Sequence, residues 1–332
     1  MKIVVTGASG FLGGHLIEEM VSKGYDVIGM VRKSSDTSFL RSLGVKLRVG
    51  DLTIPESLEQ ATRDIDIVIH LAAYYTFFGE KETYRRINVE GTRLLLEASL
   101  RNNVKRFIYC SSTEAIGPVK NPPAEEDYPP NPSYEYGRSK LEAEKIVRNY
   151  GERGVEYTIL RPSGIYGPRN VDDISYWFIT AYAKNALPTR IIVGDGRNLI
   201  QFVHVKDVVQ GFLLVLEKPE ASENQTYFIS EDRAYTYLEV YEILSELCNK
   251  APPRIHIPSM LAKAVVAPVD LFNRLRGRVV FTWRTSTVND LTCDRAYSVR
   301  KAMRELGFKP KYDLKTGLRE TVEWYRENGY IR

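Results

Sequence analysis

Six short runs rich in aliphatic and β-branched residues punctuate the first half of the chain: KIVVT (2–6), DVIGMV (26–31), VKLRVG (45–50), DIVIHLAA (66–73), RFIYCSS (106–112) and VEYTILRP (155–162). Between them lie stretches with helical periodicity, over about 11–23, 55–63, 83–102 and 134–153. Strands that are apolar throughout, rather than alternating, must be covered on both faces, and strands separated by helices are joined by crossovers. Right-handed crossovers leave one economical solution, an α/β fold with a doubly wound parallel sheet of Rossmann type.

After residue 161 the alternation becomes irregular. Helices are expected over about 173–185, 206–218, 237–249, 258–275, 296–306 and 315–328. The chain therefore divides into a dinucleotide-binding part, 1–165, and a smaller C-terminal α/β cap, 166–332, with a segment near 200–230 expected to return to the main sheet. The loop GPVKNPPAEEDYPPNPS (117–133) is too rich in proline for a helix or a central strand. It follows a strand's carboxyl end, where open α/β sheets bind ligands, and reads as a lid or a pocket wall.

The first strand begins at residue 2 and runs directly into TGASGFLGG, which sets Gly7, Gly10 and Gly13 between strand and helix. Glycines at this place permit a tight turn and let backbone approach a pyrophosphate seated on the helix N-terminus. The spacing is GxxGxxG, not the commoner GxGxxG. The second strand ends in GMVRKSS, where an acid would hold the adenosine ribose of NAD; Arg32 and Lys33 stand there instead. A guanidinium suits a 2′-phosphate, so NADP(H) is preferred and NAD(H) is the second choice.

These motifs, taken in order with GDL (50–52), HLAA (70–73), NVEGT (88–92), YCSS (109–112), a Tyr-x-x-x-Lys at Tyr136 and Lys140, and LRPSGIYGP (160–168), resemble the extended short-chain dehydrogenase/reductases over essentially the whole chain. The resemblance implies that Gly7, Gly10, Phe11, Leu12 and Gly13 form the phosphate turn, that Asp51 and Leu52 lie at the adenine, and that Leu71, Ala72 and Ala73 line the phosphate and ribose side. It also implies that Asn88 lies close to the cofactor and Ser163 near the nicotinamide. In that family the catalytic hydroxyl lies five residues before the glycine ending the strand loop, here Gly117, which selects Ser112 over Ser111 and Thr113. Ser111 and Thr113 read as groups that satisfy a strand end, with Thr113 also facing the substrate pocket.

Tyr136 and Lys140, four apart on one helix, project from a common face. A phenol titrates near pH ~10 in water, and a lysine ammonium beside a cationic nicotinamide would lower that value toward the working range. Tyr136 is then the proton carrier and Lys140 its tuner and a ribose ligand. Ser112 would stabilise charge on the substrate oxygen.

Within the family, one class binds nucleotide sugars and uses the cofactor transiently, as epimerases and dehydratases. The other oxidises or reduces an alcohol or ketone with net cofactor turnover. Nucleotide-sugar enzymes carry an arginine four residues before the histidine or tyrosine of the segment here reading NLIQFVHVKDV; this chain has Ile200 four before His204. That segment, the aromatic run Tyr74, Tyr75, Phe77 and Phe78, and the closing RKAMRELGFKP resemble the dihydroflavonol-reductase and 3β-hydroxysteroid-dehydrogenase branch. The expected substrate is an apolar or ring-containing alcohol or ketone, with Tyr74, Tyr75 and Phe77 in its pocket. A nucleotide-sugar 4-epimerase or dehydratase with tightly bound NAD is the alternative.

Three scattered cysteines, Cys110, Cys248 and Cys293, and four scattered histidines, His15, His70, His204 and His256, argue against a disulfide framework or a metal site. The N-terminus lacks a signal peptide and no window is apolar enough to span a membrane, so a cytoplasmic protein is expected. The net charge of +4 is unevenly placed: residues 274–304 hold eight Lys and Arg against Asp290 and Asp294, an excess of +6. This segment reads first as a solvated basic face, and second as contact with an anionic tail or a membrane surface beside the apolar helix expected at 258–275. No nucleic-acid module accompanies it. The family resemblance also implies a homodimer built on the helices at 83–102 and 134–153.

Overall fold

The computed structural model describes residues 1–76, 78–280 and 283–331. Seven parallel strands form the main sheet: β1 (Lys2–Thr6), β2 (Asp26–Val31), β3 (Lys46–Val49), β4 (Ile67–His70), β5 (Arg106–Cys110), β6 (Glu156–Pro162) and β7 (Gln225–Ile229). Their spatial order is β3-β2-β1-β4-β5-β6-β7, so the order reverses between β1 and β4. A doubly wound sheet opens a crevice at such a reversal, outside the strands' carboxyl ends.

The side-chain period of two divides each strand between two cores. Ile3, Val5, Ile69, Ile108 and Leu160 point to the face covered by α1 (Phe11–Ser22) and by later helices. Val4, Val68, Phe107 and Ile159 point to the face covered by α2 (Pro55–Ala61), α3 (Gly91–Arg101) and α4 (Glu135–Gly151). Because both of their faces are covered, the inner strands carry no polar alternation, whereas the edge strand β3 (KLRV) does.

Beyond β6 come α5 (Ile174–Ala183), α6 (Val205–Glu217), α7 (Tyr237–Cys248), α8 (Ser259–Leu275), α9 (Thr285–Asp290), α10 (Arg300–Leu306) and α11 (Leu314–Glu327). Helices α5, α7 and α11 build a separate core around Tyr166, Ile179, Tyr241, Leu244 and Tyr325. Residues from α6, β7 and α10, including Phe212, Tyr227 and Leu306, belong instead to the core of the main sheet. The C-terminal part thus contributes twice to the main sheet's core, first at 203–229 and again at 299–308.

The proline-rich loop is bound down as a wall. Val119 N–H donates to Asp294 O (2.8 Å), Ala124 N–H to Ala296 O (2.9 Å), and Tyr297 Oη to Gly117 O (2.8 Å). Ile116, Val119 and Ala124 pack with Phe228 and Tyr297 in a small core of their own.

The basic segment departs from a solvated face. Arg284 is buried against Glu135 (2.7 Å), Arg295 is buried between two acids, and Lys301 donates to Gln225 (2.8 Å). Glu135 and Glu114 lie outside the segment, so the +6 excess of 274–304 is partly neutralised by folding. The histidines are packed or bonded: His15 meets Pro168 O at 2.9 Å, His204 stacks on Tyr312 with ring centroids 3.9 Å apart, and His256 meets Gly194 O at 3.0 Å.

Candidate active site

The turn after β1 depends on missing side chains. Gly7 has φ +68°, and a Cβ there would lie 2.8 Å from Ala72 N, in the loop after β4. A Cβ on Gly13 would lie 2.1 Å from Gly7 O, so the first turn of α1 can sit directly against the strand's exit. No side chain caps the N-terminus of α1, and no acid occupies its first turn. Its first amides therefore face the crevice with a positive end that suits a phosphate. This cradle, which any Cβ would fill, fits the pyrophosphate of a dinucleotide.

A hydrogen-bonded chain locks the turn to β4. Thr92 Oγ1 donates to Asn88 O (2.6 Å), so it must accept from His70 Nε2 (3.0 Å). His70 Nδ1 then accepts from Thr6 Oγ1 (2.7 Å), which accepts from Ala72 N–H (3.1 Å). Burial pushes the His70 pKa down to about 3, consistent with a neutral ring of fixed tautomer. Its role is structural.

Asn88 makes the next link. It lies in a π-helical turn, Arg85–Glu90, that widens the helix leading into α3. Such turns recur where a helix must redirect a side chain at a functional site. Asn88 Oδ1 accepts from Tyr74 N–H (2.6 Å) while Nδ2 donates to Tyr74 O (3.0 Å) and to Ser139 Oγ (2.9 Å). One side chain thereby ties the loop after β4 to α4. No reading of the sequence singled out Ser139, because a serine inside a helix carries no signal of its own.

A cavity of about 390 Å³ opens at the carboxyl ends of β1, β4, β5 and β6. Phe11, Leu12, Leu71, Ala73, Ser112, Thr113, Tyr136, Lys140 and Ser163 all contribute to its lining, which brings Ser112, Tyr136 and Lys140 to one cavity. Ser111 also lines the cavity, but its hydroxyl donates to buried Glu144 (2.6 Å), which Arg161 holds from two sides (2.7 and 2.9 Å). Ser163 is buried and bonded to Ser230 (2.7 Å).

Gly137 explains how α4 reaches Ser112. A Cβ there would come within 2.3 Å of Glu114 O, so the helix start packs on the loop backbone. The Ser112 hydroxyl lies near enough to the Tyr136 phenol to favour its ionised form. Burial nevertheless dominates and pushes the Tyr136 phenol well above its ordinary value. Lys140 alone does not reverse this: its Nζ donates to Cys110 O (2.5 Å) and sits 4.4 Å over the Tyr109 ring, with the Tyr136 ring centroid 5.9 Å away. Burial also lowers the Lys140 pKa to about 8.

The remaining expected residues are placed unevenly. Tyr75 lines the cavity and packs edge-on against Tyr136, centroids 5.0 Å apart. Tyr74 has its backbone fixed by the Asn88 clamp and its ring against Tyr84 (4.9 Å). Phe77 lies outside the described residues. Asp51 holds Thr53 N–H and Oγ1 (2.8 and 2.7 Å), which keeps its carboxyl below the usual range. Leu52 is buried against Gly91. Arg32 is exposed and close enough to Asp51 to lower that acid further.

The sequence reading missed a charged cluster in the cavity wall. Arg295 donates to Glu114 (2.6 Å) and Asp290 (2.7 Å), and Glu114 keeps a buried, unbonded Oε2. Desolvation pushes the Glu114 pKa up. Asp173, the N-cap of α5, also lines the cavity, and burial lifts its pKa to about 6. Nothing in the local sequence announces a pairing across 181 positions.

Residues 3–230 match the model of the NAD dependent epimerase/dehydratase family. Sterol demethylase protein B of Methylococcus capsulatus is 27% identical, with all of both chains aligned. A putative UDP-glucose 4-epimerase of Methanocaldococcus jannaschii is 28% identical over 98% of this chain and 99% of that protein. Among solved structures, gox2253 superposes with a TM-score of 0.86 at 28% identity, covering 99% of each chain. The glycine cradle, the strand order and these matches agree: the chain belongs to the NAD-dependent epimerase/dehydratase family, the extended short-chain dehydrogenase/reductases, and is an oxidoreductase.

Proposed function

We propose that this protein is an NADP(H)-preferring oxidoreductase that interconverts a secondary alcohol and a ketone on an apolar or ring-containing small molecule. The observation that carries the reading is the character of the cavity around Ser112, Tyr136 and Lys140. Its wall includes Tyr75, Tyr134, Ile200, Phe202 and Tyr237. Among the described lining residues the one arginine, Arg295, is already held by Glu114 and Asp290 rather than offered to a sugar diphosphate. Ile200 stands at the position where a nucleotide-sugar enzyme of this family would carry a gripping arginine. The sterol demethylase relative supports the same choice.

When bound, the nicotinamide coenzyme supplies or receives the hydride. Tyr136 gives the phenolic proton to the substrate oxygen as the carbonyl becomes an alcohol, and takes it back in the reverse direction. Burial, which keeps the phenol protonated, suits reduction. Ser112 donates to the same oxygen and stabilises charge as it develops. Lys140, fixed on Cys110 O, holds a positive charge beneath the site and presents it to the coenzyme ribose. Exposed Arg32 receives the 2′-phosphate.

The test is a screen of cyclic and aryl ketones that follows reduced-nicotinamide absorbance with each coenzyme. Net oxidation of NADPH, faster than of NADH, is expected, with Tyr136→Phe lowering kcat by roughly 10²–10⁴ while coenzyme still binds. Full activity in Tyr136→Phe would refute the assignment of the proton carrier. The epimerase relative makes the second reading concrete. Strong thermal stabilisation by UDP alone, with no net coenzyme turnover, would select that reading instead.

A further inference from the structure

Helix α8 is folded with its polarity reversed. Leu261, Val265, Phe272 and Leu275 recur at helical spacing on one face, and that face is turned to solvent. Met260, Phe272 and Leu275 are 82%, 53% and 79% exposed. Asp270, 4% exposed, is the inward residue: its carboxylate accepts from Thr285 N–H (3.1 Å), Thr285 Oγ1 (2.7 Å) and Arg274 Nε (3.0 Å). A surface helix ordinarily buries its apolar stripe. Here a buried acid anchors the helix by its polar side, and about 21 Å of apolar ridge, from Leu261 to Leu275, is left outward.

The charge around the ridge selects what covers it. Residues 259–280 carry Lys263, Arg274, Arg276 and Arg278 against Asp270 alone, an excess of +3. The guanidinium of Arg276 lies 4.2 Å from the Phe272 ring centroid, so cation and apolar face adjoin. Glu80 is opposite Arg278 in the strand pair that follows the helix. A second copy would bring the same cations and no exposed acid from this segment to meet them. Anionic lipid headgroups over acyl chains meet both features at once. None of the described helices is long and apolar enough to cross a membrane, so the contact would lie along the surface.

We propose that α8 lies in the headgroup–acyl boundary of an anionic membrane and docks the protein reversibly there. The helix packs on α9, whose Thr287 and Asp290 line the cavity, so the docked face backs directly onto the substrate wall. That the docked protein draws an apolar substrate from lipid rests on the function proposed above; the docking itself does not.

The experiment is flotation of the full chain with phosphatidylcholine vesicles, with and without phosphatidylglycerol, in the absence of coenzyme and substrate. The protein is expected to float with the anionic vesicles. Leu261→Glu/Phe272→Glu should weaken binding at least ~10-fold with an unchanged Tm, because both side chains are exposed. Arg276→Glu/Arg278→Glu should abolish the preference for phosphatidylglycerol. Absence of flotation with anionic vesicles, or flotation indifferent to both variants, would overturn the proposal. So would a solution dimer, seen by light scattering, that Leu261→Glu/Phe272→Glu dissociates; the ridge would then be a contact between copies. Flotation with no ketone reduction would leave the docking intact and remove the substrate reading alone.

Discussion

Lys140 is a buried cation in the cavity wall, set between Tyr109, Cys110 and Tyr136. Its pKa of about 8 lies below the ordinary lysine value of 10.5, and desolvation is the main cause. Between those two values the unfolded chain holds a proton that the folded chain lacks, so stability rises with pH across that window. Below about pH 8 both states are protonated and the cost of burying the ammonium is complete. Lys140→Met removes the effect. Relative to that variant, the wild type should gain about 1–3 kcal/mol between pH 8 and pH 10. Urea unfolding at both pH values checks it, and an unchanged difference would mean that burial does not perturb Lys140. At this same scale the sequence was a partial guide. The Tyr-x-x-x-Lys spacing brings Tyr136 and Lys140 to one face, but it cannot tell that the lysine bonds a carbonyl. Nor could it separate Tyr74 from Tyr75, whose rings pack against Tyr84 and Tyr136 respectively.

The elements that position the site are short, and glycine sets their approach. A Cβ at Gly13 would press on Gly7 O at 2.1 Å, with Ala8 backbone atoms at 2.9 Å. Neither contact can be relieved by a rotamer change, so Gly13→Ala must push α1 away from the turn. Overpacking of this kind costs about 1–3 kcal/mol, and the displaced amides are those offered to the pyrophosphate. Coenzyme affinity should therefore fall roughly 10–100-fold, measured by calorimetric titration. Wild-type affinity would show that the turn tolerates the shift. Helix limits were legible because amphipathic periodicity persists over many residues; α7, expected at 237–249, ends at Cys248. Pairs such as Phe202–His204 with Gly164–Tyr166 were not, since three residues are too few to show a period. The π-helical turn at Arg85–Glu90 was also invisible, because it shifts hydrogen bonds without changing composition.

For the whole molecule, apolar runs separated by helices were enough to infer the parallel sheet and its crevice. What they could not convey is how the C-terminal half closes the sheet. Arg295, Tyr297 and the backbone of 294–298 reach back to Glu114, Gly117, Val119 and Ala124, joining positions about 180 residues apart. Charge patterning cannot reveal such pairs, because a buried arginine and a solvated one look alike in a sequence. The late arrival of β7 matters most during synthesis. β6 ends at Pro162 and its partner begins at Gln225, 63 positions later, while part of the cover for Ile108 and Leu160 comes from Phe212 and Tyr227. A ribosome-bound chain therefore holds β6 as an open, apolar edge until β7 emerges, a state prone to pairing with other chains. A fragment ending at residue 165 freezes that moment. It should pellet on expression, whereas a soluble monomeric fragment would show that the sheet closes without its last strand. The expected division at 165 places the return of 200–230 to the main sheet after that boundary, so this fragment tests the division directly.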